Sequence, residues 1–432
     1  MVDTIKESSR AQFNLIQVSA APPNRPQVAV RLRMVDRLPK PVRSSRPGPE
    51  NLSPVSVFVA VVAVLLALVT WALHRRLFVT PQWPYAAQLA SAVVFVLGWL
   101  AVLAAFAIQG GIIDPANTRW LAWLGMTWLA VVWYLIVGVL LLGLVVVPAR
   151  LAGRTKLRRT MLRIGAPTVM VAALSTAAYG ITEAAEPTIT PVTITNDLVP
   201  DKLDGLRIAL ITDLHVGPVR DVGFTRRVVD LVNSEHPDLV VIAGDIADGK
   251  VAQVGEEIAP LEELRAPLGV YGVEGNHEVI SGEPEAWLHH WEDLGIHVLR
   301  NENLSIDRNG GQLTIAGLND PSGNGPDGSD GPDVDDALAG VDPDLFTLLL
   351  AHQPKLAELA AGRGVNLQVS GHTHGGQLWP FDYLVRLQQP VLEGLAPVGD
   401  VPVYTSRGAG AWGPPVRVLA PPKVPVITLR QR

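Results

Sequence analysis

Four long apolar stretches without Asp, Glu, Lys or Arg constrain the fold of the first half of the chain. Each is between 18 and 28 residues long, and a helix needs about 20 apolar residues to cross a bilayer. Buried helices of soluble domains rarely hold uncharged runs of this length. Seven of the 11 tryptophans lie in this half, several near the ends of the stretches, which is typical of a membrane interface. The stretches are Val55–Leu73, Ala86–Ile108, Trp120–Val147 and Ile164–Ile181.

Charge divides the chain into two unlike parts. Residues 1–186 hold 18 basic and 7 acidic residues, and the remainder holds 17 basic and 34 acidic residues. Such asymmetry indicates parts in different surroundings, and we expect membrane lipids as partners of the first part. The acidic second part argues against a nucleic-acid partner, which requires a basic surface. The chain has no cysteine, so disulfides and thiolate metal sites are excluded.

Basic residues in the connections predict the orientation in the membrane. The third connection, Pro148 to Arg163, holds six of them, the first holds Arg75 and Arg76, and the middle one holds only Arg119. Since basic loops stay in the cytoplasm, the segment after the fourth span is predicted to lie outside. Four basic residues before the first span favour the opposite orientation, namely Arg37, Lys40, Arg43 and Arg46.

The pair Arg158-Arg159 before the fourth stretch has two interpretations. It resembles a twin-arginine export signal placed inside the chain, and it also fits an ordinary basic cytoplasmic loop. Both interpretations place the second half of the chain outside the cytoplasm. The sequence therefore predicts a multi-pass protein of the cell membrane with its C-terminal part on the extracytoplasmic side.

Beyond the apolar stretches, strand-like runs alternate with helix-like runs and end in strands alone. This order predicts a layered α/β sandwich. We divide the chain into a disordered Pro/Arg-rich tail at 1–54, an all-α transmembrane region at 55–181 and an α/β domain at 187–432. The predicted strands include Val416–Leu419. The predicted helices of the α/β part are Val222–Ser234, Val254–Leu264, Pro284–Leu294 and Pro354–Gly362.

Potential metal ligands follow the tips of five strand-like runs. Active-site groups of α/β sheets gather at the carboxyl ends of strands, and His372 and His374 share one face of an extended segment because they are two residues apart. Oxygen and imidazole ligands without sulfur suit Mn, Fe, Zn or Co. The segments are Asp213-Leu214-His215, Gly244-Asp245-Ile246-Ala247-Asp248, Gly275-Asn276-His277-Glu278, His352 and Gly371-His372-Thr373-His374.

These motifs, in this order, resemble the calcineurin-like metallophosphoesterases over residues 188–429. The closing Arg407-Gly408-Ala409-Gly410 and Pro414-Pro415-Val416-Arg417 resemble a bacterial membrane-associated branch. The resemblance implies a four-layer α/β/β/α sandwich with two divalent metal ions. It implies that a hydroxide bridging the metals attacks phosphorus, because two cations clamp the attacking and leaving oxygens of such a displacement.

The resemblance also implies a role for each site residue. His277 is implied to protonate or stabilise the leaving oxygen and Asp248 to orient His277. The alternatives are a structural hydrogen bond for His277 and a helix N-cap for Asp248. Asp213, His215 and His374 are implied to hold one metal, Asn276, His352 and His372 the other, and Asp245 to bridge them.

One position departs from the family pattern. Some relatives, notably the Ser/Thr phosphatases, have an arginine after the second aspartate of the G-D-x-x-D motif, where this chain has Gly249. This weakens the case for a protein phosphatase. Arg407 is an alternative phosphate ligand, and a structural or surface arginine is the other interpretation.

The resulting functional prediction is a membrane-anchored hydrolase of phosphomonoesters or phosphodiesters. Its substrate is expected to be a small-molecule or lipid-linked phosphate ester. The alternative is a non-catalytic membrane scaffold or binding protein on a phosphoesterase fold, which predicts missing ligands. Every expected ligand position is filled in this sequence.

Overall fold

Two six-stranded sheets form the centre of the second half in the computed structural model, which describes residues 54–323 and 330–432. The strands are β1 (Thr188–Asn196), β2 (Arg207–Ile211), β3 (Leu239–Ala243), β4 (Val270–Val273), β5 (His297–Val298), β6 (Glu302–Arg308), β7 (Gly311–Leu318), β8 (Phe346–Ala351), β9 (Leu367–Ser370), β10 (Gly394–Val398), β11 (Val401–Thr405) and β12 (Lys423–Gln431). The first sheet has the order β1-β12-β2-β3-β4-β5 and the second the order β10-β11-β9-β8-β7-β6.

Both sheets have parallel centres. In the first, β2, β3 and β4 pair in parallel, and in the second, β7, β8 and β9 do so. Strands β3 and β8 are buried along their whole length, as expected of parallel strands covered on both faces. Because these strands run the same way within each sheet, the loops that follow them gather at one edge.

Helices flank the two sheets. The helices of the described residues are α1 (Pro54–His74), α2 (Tyr85–Gln109), α3 (Arg119–Leu151), α4 (Thr155–Ala185), α5 (Val222–Ser234), α6 (Val251–Val254), α7 (Asn276–Ile280), α8 (Pro284–Asp293), α9 (Val334–Ala337), α10 (Ala357–Ala360) and α11 (Asp382–Val385). Short 3-10 turns lie at Pro115–Asn117, Asp201–Leu203, Gly255–Glu263, Pro321–Gly323, Pro354–Leu356 and His374–Gly376, and a π-helical turn at Arg75–Val79.

Three apolar cores hold the layers together. Leu210 and Leu348 belong to the core between the two sheets. Trp287 of α8 and Val228 of α5 pack on the outer face of the first sheet, and Ala360 of α10 belongs to the core on the outer face of the second. The second half is therefore a four-layer α/β/β/α sandwich, and the predicted fold class is confirmed.

Helices α1 to α4 are long and apolar enough to cross a membrane, and they are the ones among the described residues that meet this criterion. Glycines allow close packing between them, as small residues do in membrane bundles. A Cβ on Gly125 of α3 would lie 2.2 Å from the carbonyl oxygen of Ala101 on α2, and one on Gly138 would lie 2.6 Å from Val169 of α4. The described residues 54–185 thus form an all-α region, as predicted for 55–181.

Helices α1 to α4 and the α/β part belong to one compact unit, Pro54–Arg432. At the start of α3, Arg119 donates to the Gly217 carbonyl at 2.9 Å and pairs with Glu257. The α2–α3 connection therefore lies on the side of the α/β part. At the other end of the bundle, Arg163 donates to the Pro81 carbonyl at 3.1 Å, so the two basic connections lie together on the opposite side.

Some local predictions are wrong. The apolar run Val416–Leu419 is not a strand and makes a single bridge, from Val418 to Leu378. The predicted helix Val254–Leu264 is mostly a 3-10 turn with Pro260 inside. Helix α4 begins at Thr155, so the Arg158-Arg159 pair is helical rather than part of a loop. The predicted tail, apart from Pro54, which begins α1, lies outside the described residues.

Candidate metal centre

The carboxyl ends of five strands from both sheets bring the predicted ligands together. Asp213 follows β2, Asp245 follows β3, and Asn276 follows β4 in the first sheet. His352 follows β8 and His372 follows β9 in the second sheet. The strand-end argument made from the sequence therefore places both sets of side chains at one edge of the sandwich.

The first group of ligand atoms is fully enclosed. The Nε2 atoms of His215 and His374 lie 3.1 Å apart, and His374 Nε2 lies 3.3 Å from Asp213 Oδ1. All three side chains are buried. Two imidazole nitrogens and one carboxylate oxygen thus face a single small volume.

The second group has the same construction. Asn276 Oδ1 lies 2.9 Å from His372 Nδ1 and 3.2 Å from His352 Nε2, and the two histidine nitrogens are 3.2 Å apart. His352 is buried, whereas His372 and Asn276 are partly exposed. The second group is therefore the more accessible of the two.

Asp245 lies between the groups. Its Oδ2 is 3.1 Å from His352 Nε2 in the second group and 3.7 Å from His215 Nε2 in the first. Its Oδ1 accepts a hydrogen bond from the backbone N–H of His277 at 2.8 Å. A single carboxylate oxygen therefore faces both groups, which is the position that a bridging ligand requires.

The ring nitrogens are oriented for a cation. His215 Nδ1 bonds to Asp248 Oδ1 at 2.9 Å, and His352 Nδ1 bonds to the Ala243 carbonyl at 2.7 Å. These acceptors hold the proton of each Nδ1, so Nε2 is the ring atom directed into the site. Nitrogen and oxygen donors without sulfur suit divalent Mn, Fe, Zn or Co. The residues present therefore fit a divalent metal.

Electrostatics keeps two of these imidazoles neutral. Burial, together with the charge of His352, lowers the pKa of His372 to about 3. Burial and the neighbouring His215 lower the pKa of His374 well below its ordinary value. Metal ions bind the neutral form of imidazole, so both side chains are in the binding form at neutral pH.

The pKa of His277 is shifted in the opposite direction. Burial alone would lower the pKa of His277, but the carboxylates of Asp245 and Asp248 raise it to about 9. Its Nδ1 lies 2.7 Å from the Asp248 oxygen that also binds His215. Burial alone would raise the pKa of Asp248, and the two histidines hold it well below its usual range. Helix α6 begins only at Val251, so the Asp248 carboxylate faces the histidines rather than capping a helix.

The backbone is strained at the ligand positions. Five of the seven predicted metal ligands have φ between 48° and 69°, a region that residues with a side chain adopt rarely. Such strain concentrates at functional sites, where the surrounding structure enforces it. The five are Asp213, His215, Asp245, His372 and His374.

Two glycines make room for the carboxylates. A Cβ on Gly371 would lie 2.1 Å from Thr212 Oγ1 and 2.2 Å from Asp213 Oδ2, and one on Gly275 would lie 2.2 Å from Asp245 Oδ1. These glycines are needed because the backbone passes directly beside the ligands.

Sequence reasoning gave no role to three further residues at the site. Glu278 is buried and accepts hydrogen bonds from the backbone N–H groups of Asp245 and Gly275 at 2.9 and 2.8 Å. The sequence feature that could have identified Glu278 is its position at the end of the motif Gly275-Asn276-His277-Glu278. Gln109, the last residue of α2, donates to Asp248 Oδ2 at 3.4 Å. Only the tertiary structure brings the end of α2 to the site.

The third residue, Arg417, supports His374. Its guanidinium is fully buried. It donates to the carbonyl of His374 at 3.1 Å and lies 3.1 Å from His374 Nδ1. Burial lowers the pKa of Arg417 to about 9. The sequence feature that could have identified Arg417 is that it is the one charged residue in the otherwise apolar run Val416–Leu419. Arg407, the alternative phosphate ligand, pairs instead with Glu393.

Comparisons with known proteins point to one family. A sequence model of the calcineurin-like phosphoesterase family matches residues 206–376. An uncharacterised metallophosphoesterase of Bacillus subtilis, YkuE, is 33% identical over 264 residues, which cover 58% of this chain and 90% of that protein. A transmembrane protein with metallophosphoesterase domain from Danio rerio is 34% identical over 265 residues, which cover 59% of this chain and 60% of that protein.

The chain spans about 60% of the length of the vertebrate relatives. A second one, from Bos taurus and with the same description, is 35% identical over 276 residues, or 61% of each chain. Among solved structures, the Pseudomonas putida nuclease MPE covers 39% of this chain and 61% of its own, with 18% identity and a TM-score of 0.21. That last likeness is too slight to support an argument.

Proposed function

The chain belongs to the calcineurin-like phosphoesterase family, and from this premise we propose that it is a membrane-anchored hydrolase of phosphomonoesters or phosphodiesters. The observation that supports this most is the Asp245 oxygen shared between two groups of ligand atoms, 3.1 and 3.7 Å from their nearest nitrogens. A scaffold protein has no need of strained, buried ligand loops.

We propose that the two groups hold two divalent metal ions. When bound, such a pair stabilises the charge of the reacting phosphate and lowers the pKa of water. Mn, Fe, Zn and Co all suit the donor set. The proposed ligands are Asp213, His215 and His374 for one ion, Asn276, His352 and His372 for the other, and Asp245 for both.

His277 is the proposed proton donor. Its raised pKa of about 9 keeps it charged at neutral pH, so it has a proton to give. Asp248 holds its Nδ1 at 2.7 Å, which leaves Nε2 for the leaving oxygen of the ester. When the phosphorus–oxygen bond breaks, the proton on Nε2 passes to that oxygen and prevents a free alkoxide. Asp248 thus positions His277 and maintains its charge.

Metal-dependent turnover by the full-length protein tests the proposal. After chelation and removal of the chelator, we expect Mn²⁺ to restore hydrolysis of bis-p-nitrophenyl phosphate or p-nitrophenyl phosphate. On an alkyl phosphodiester, whose alkoxide leaving group needs a proton, His277→Gln should lose about 10²-fold or more in kcat. His289→Gln is the matched control, because His289 lies exposed on α8 and pairs with Glu292 at 3.0 Å. Normal metal binding without turnover would instead support the non-catalytic scaffold.

We further propose that the catalytic domain lies on the extracytoplasmic side of the membrane. The basic connections lie together at the far end of the bundle from the α/β part, and basic loops remain in the cytoplasm. A C-terminal alkaline phosphatase fusion should be active and a C-terminal green fluorescent protein fusion dark. The reverse pattern would contradict this orientation.

A further inference from the structure

An exposed apolar surface lies directly beside the metal centre. We call it the apolar rim and define it as Trp379, Tyr383, Leu384, Leu387, Trp412 and Leu419. Leu387 is 81% exposed and Tyr383 is 63% exposed. Four of the six side chains come from the segment Leu378–Gln389, which contains the short helix α11. Side chains of this size seldom cluster on a surface that faces water.

The rim is continuous with the membrane helices. Trp133 of α3 donates to the Leu378 carbonyl at 3.1 Å and packs edge-on against Phe381, with ring centres 5.5 Å apart. Leu378 and Val418 belong to the same apolar core as Ala177 of α4. The segment that carries the rim therefore packs on helices α3 and α4 through an apolar contact.

The lengths of two helices place the rim at the outer boundary of the hydrocarbon. Trp133 lies 17 residues from Arg150 at the basic end of α3, a rise of about 26 Å. On α4, Gly180 contacts the segment next to the rim, accepting from Arg417 N–H at 2.9 Å. It also lies 17 residues from a basic residue, Arg163. The hydrocarbon core of a bilayer is about 30 Å thick. With the basic residues at the cytoplasmic boundary, both helices therefore place the rim near the opposite boundary of the hydrocarbon.

The residue types of the rim fit this depth. Tryptophan and tyrosine concentrate where acyl chains meet head groups. Leucines beside them suit the acyl chains, and the exposed Arg386 in the same segment suits anionic head groups. The occupant that this combination favours is the lipid bilayer.

The rim is also tied to the ligand loop. Gln377, three residues after the proposed ligand His374, donates to the Trp412 carbonyl at 2.8 Å. A Cβ on Gly376 would lie 2.4 Å from the Cα of Asp382, the first residue of α11. The backbone that carries the ligand therefore packs directly on the rim segment, so a lipid head group bound at the rim would lie near the metal centre.

We propose that the apolar rim is immersed in the bilayer and that the enzyme acts on a phosphate ester carried by a lipid. The second part, that the membrane delivers a lipid-borne ester to the site, rests on the proposed phosphoesterase function. The first part, that the rim is immersed in the bilayer, does not. A water-soluble ester would gain nothing from the rim, and a lipid-borne ester reaches the site without leaving the membrane.

Spin labels test the immersion without any need for activity. The natural chain has no cysteine, so Leu387→Cys in the full-length protein gives one labelling site. Leu198→Cys is the matched control, because Leu198 is an exposed leucine after β1, at the opposite end of the first sheet from the metal centre. In phosphatidylcholine–phosphatidylglycerol nanodiscs, the label at 387 should collide preferentially with oxygen and the label at 198 with a nickel chelate. Equal nickel accessibility at both positions would overturn the proposal, as would protection of position 387 from both reagents, which indicates a protein partner.

A pair of substrates with the same leaving group tests the delivery. The p-nitrophenyl ester of dioleoyl phosphatidic acid is presented in the same bilayer, and bis-p-nitrophenyl phosphate in solution. The double variant Leu384→Gln/Leu387→Gln should lower the ratio of lipid to soluble turnover about tenfold, and Leu198→Gln should leave it unchanged. An unchanged ratio in the double variant would overturn the delivery. If the wild-type protein hydrolyses neither ester, the phosphoesterase function fails, and the label at 387 still decides the immersion.

Discussion

Replacing Asp248 by Asn should weaken catalysis without removing the metals. One oxygen of Asp248 binds His215 at 2.9 Å and His277 at 2.7 Å. Hydrogen bonds to a charged group contribute about 1.5–3 kcal/mol and neutral ones about 0.5–1.5 kcal/mol. The change of charge should therefore cost about 1 kcal/mol for each bond. A total of about 2 kcal/mol corresponds to a roughly thirtyfold decrease in kcat.

The same substitution should also return the pKa of His277 from about 9 towards its ordinary value, because Asp248 is one of the three carboxylates that raise it. The assay is steady-state hydrolysis of an alkyl phosphodiester by the full-length protein at saturating Mn²⁺, with metal content measured in parallel. Asp230→Asn, on the exposed face of α5, is the control. A kcat within threefold of wild type at equal metal content would refute the role of Asp248.

Three further substitutions test the packing and charge around the centre. Gly371→Ala places a Cβ 2.2 Å from Asp213 Oδ2, so metal content and kcat should both fall, kcat by about tenfold or more; wild-type values would contradict this. Gly180→Val would place a Cβ 2.4 Å from Val416 Cγ1 and should cost about 1–3 kcal/mol of stability, seen as a lower melting temperature in detergent; an unchanged temperature would count against the contact. Burial raises the pKa of Glu274 to about 8, so the wild type should lose stability as pH rises from about 4.5 through 8. Glu274→Gln should flatten that decline, and parallel melting curves for both proteins would exclude it.

The sequence predicted the fold class because each layer leaves a local pattern. Uncharged stretches indicate membrane helices, and buried parallel strands such as β3 are continuous apolar runs. The ligand positions were found for a related reason. Asp213 and Asp245 directly follow such strands. The carboxyl ends of parallel strands lie at one edge of a sheet, so residues that follow them come together. Their roles as metal ligands remain predictions.

What the sequence could not predict depends on contacts between distant segments. Val416–Leu419 has the composition of a strand, but Arg417 inside it donates to the carbonyls of Gly410 at 2.7 Å and Ala420 at 2.9 Å, and this fixes a loop. Gln109 ends an apolar helix and reaches Asp248, 139 positions later in the chain. Neither contact has a periodic signal that a local pattern could reveal.

The number of metal ions bound per chain tests the central proposal most directly. Elemental analysis of the full-length protein, purified with a saturating supply of Mn²⁺, should find two ions per chain. Asp245→Asn should find one or fewer, because Asp245 Oδ2 faces both groups of ligand atoms. Fewer than two ions in the wild-type protein under saturation would contradict the two-metal centre.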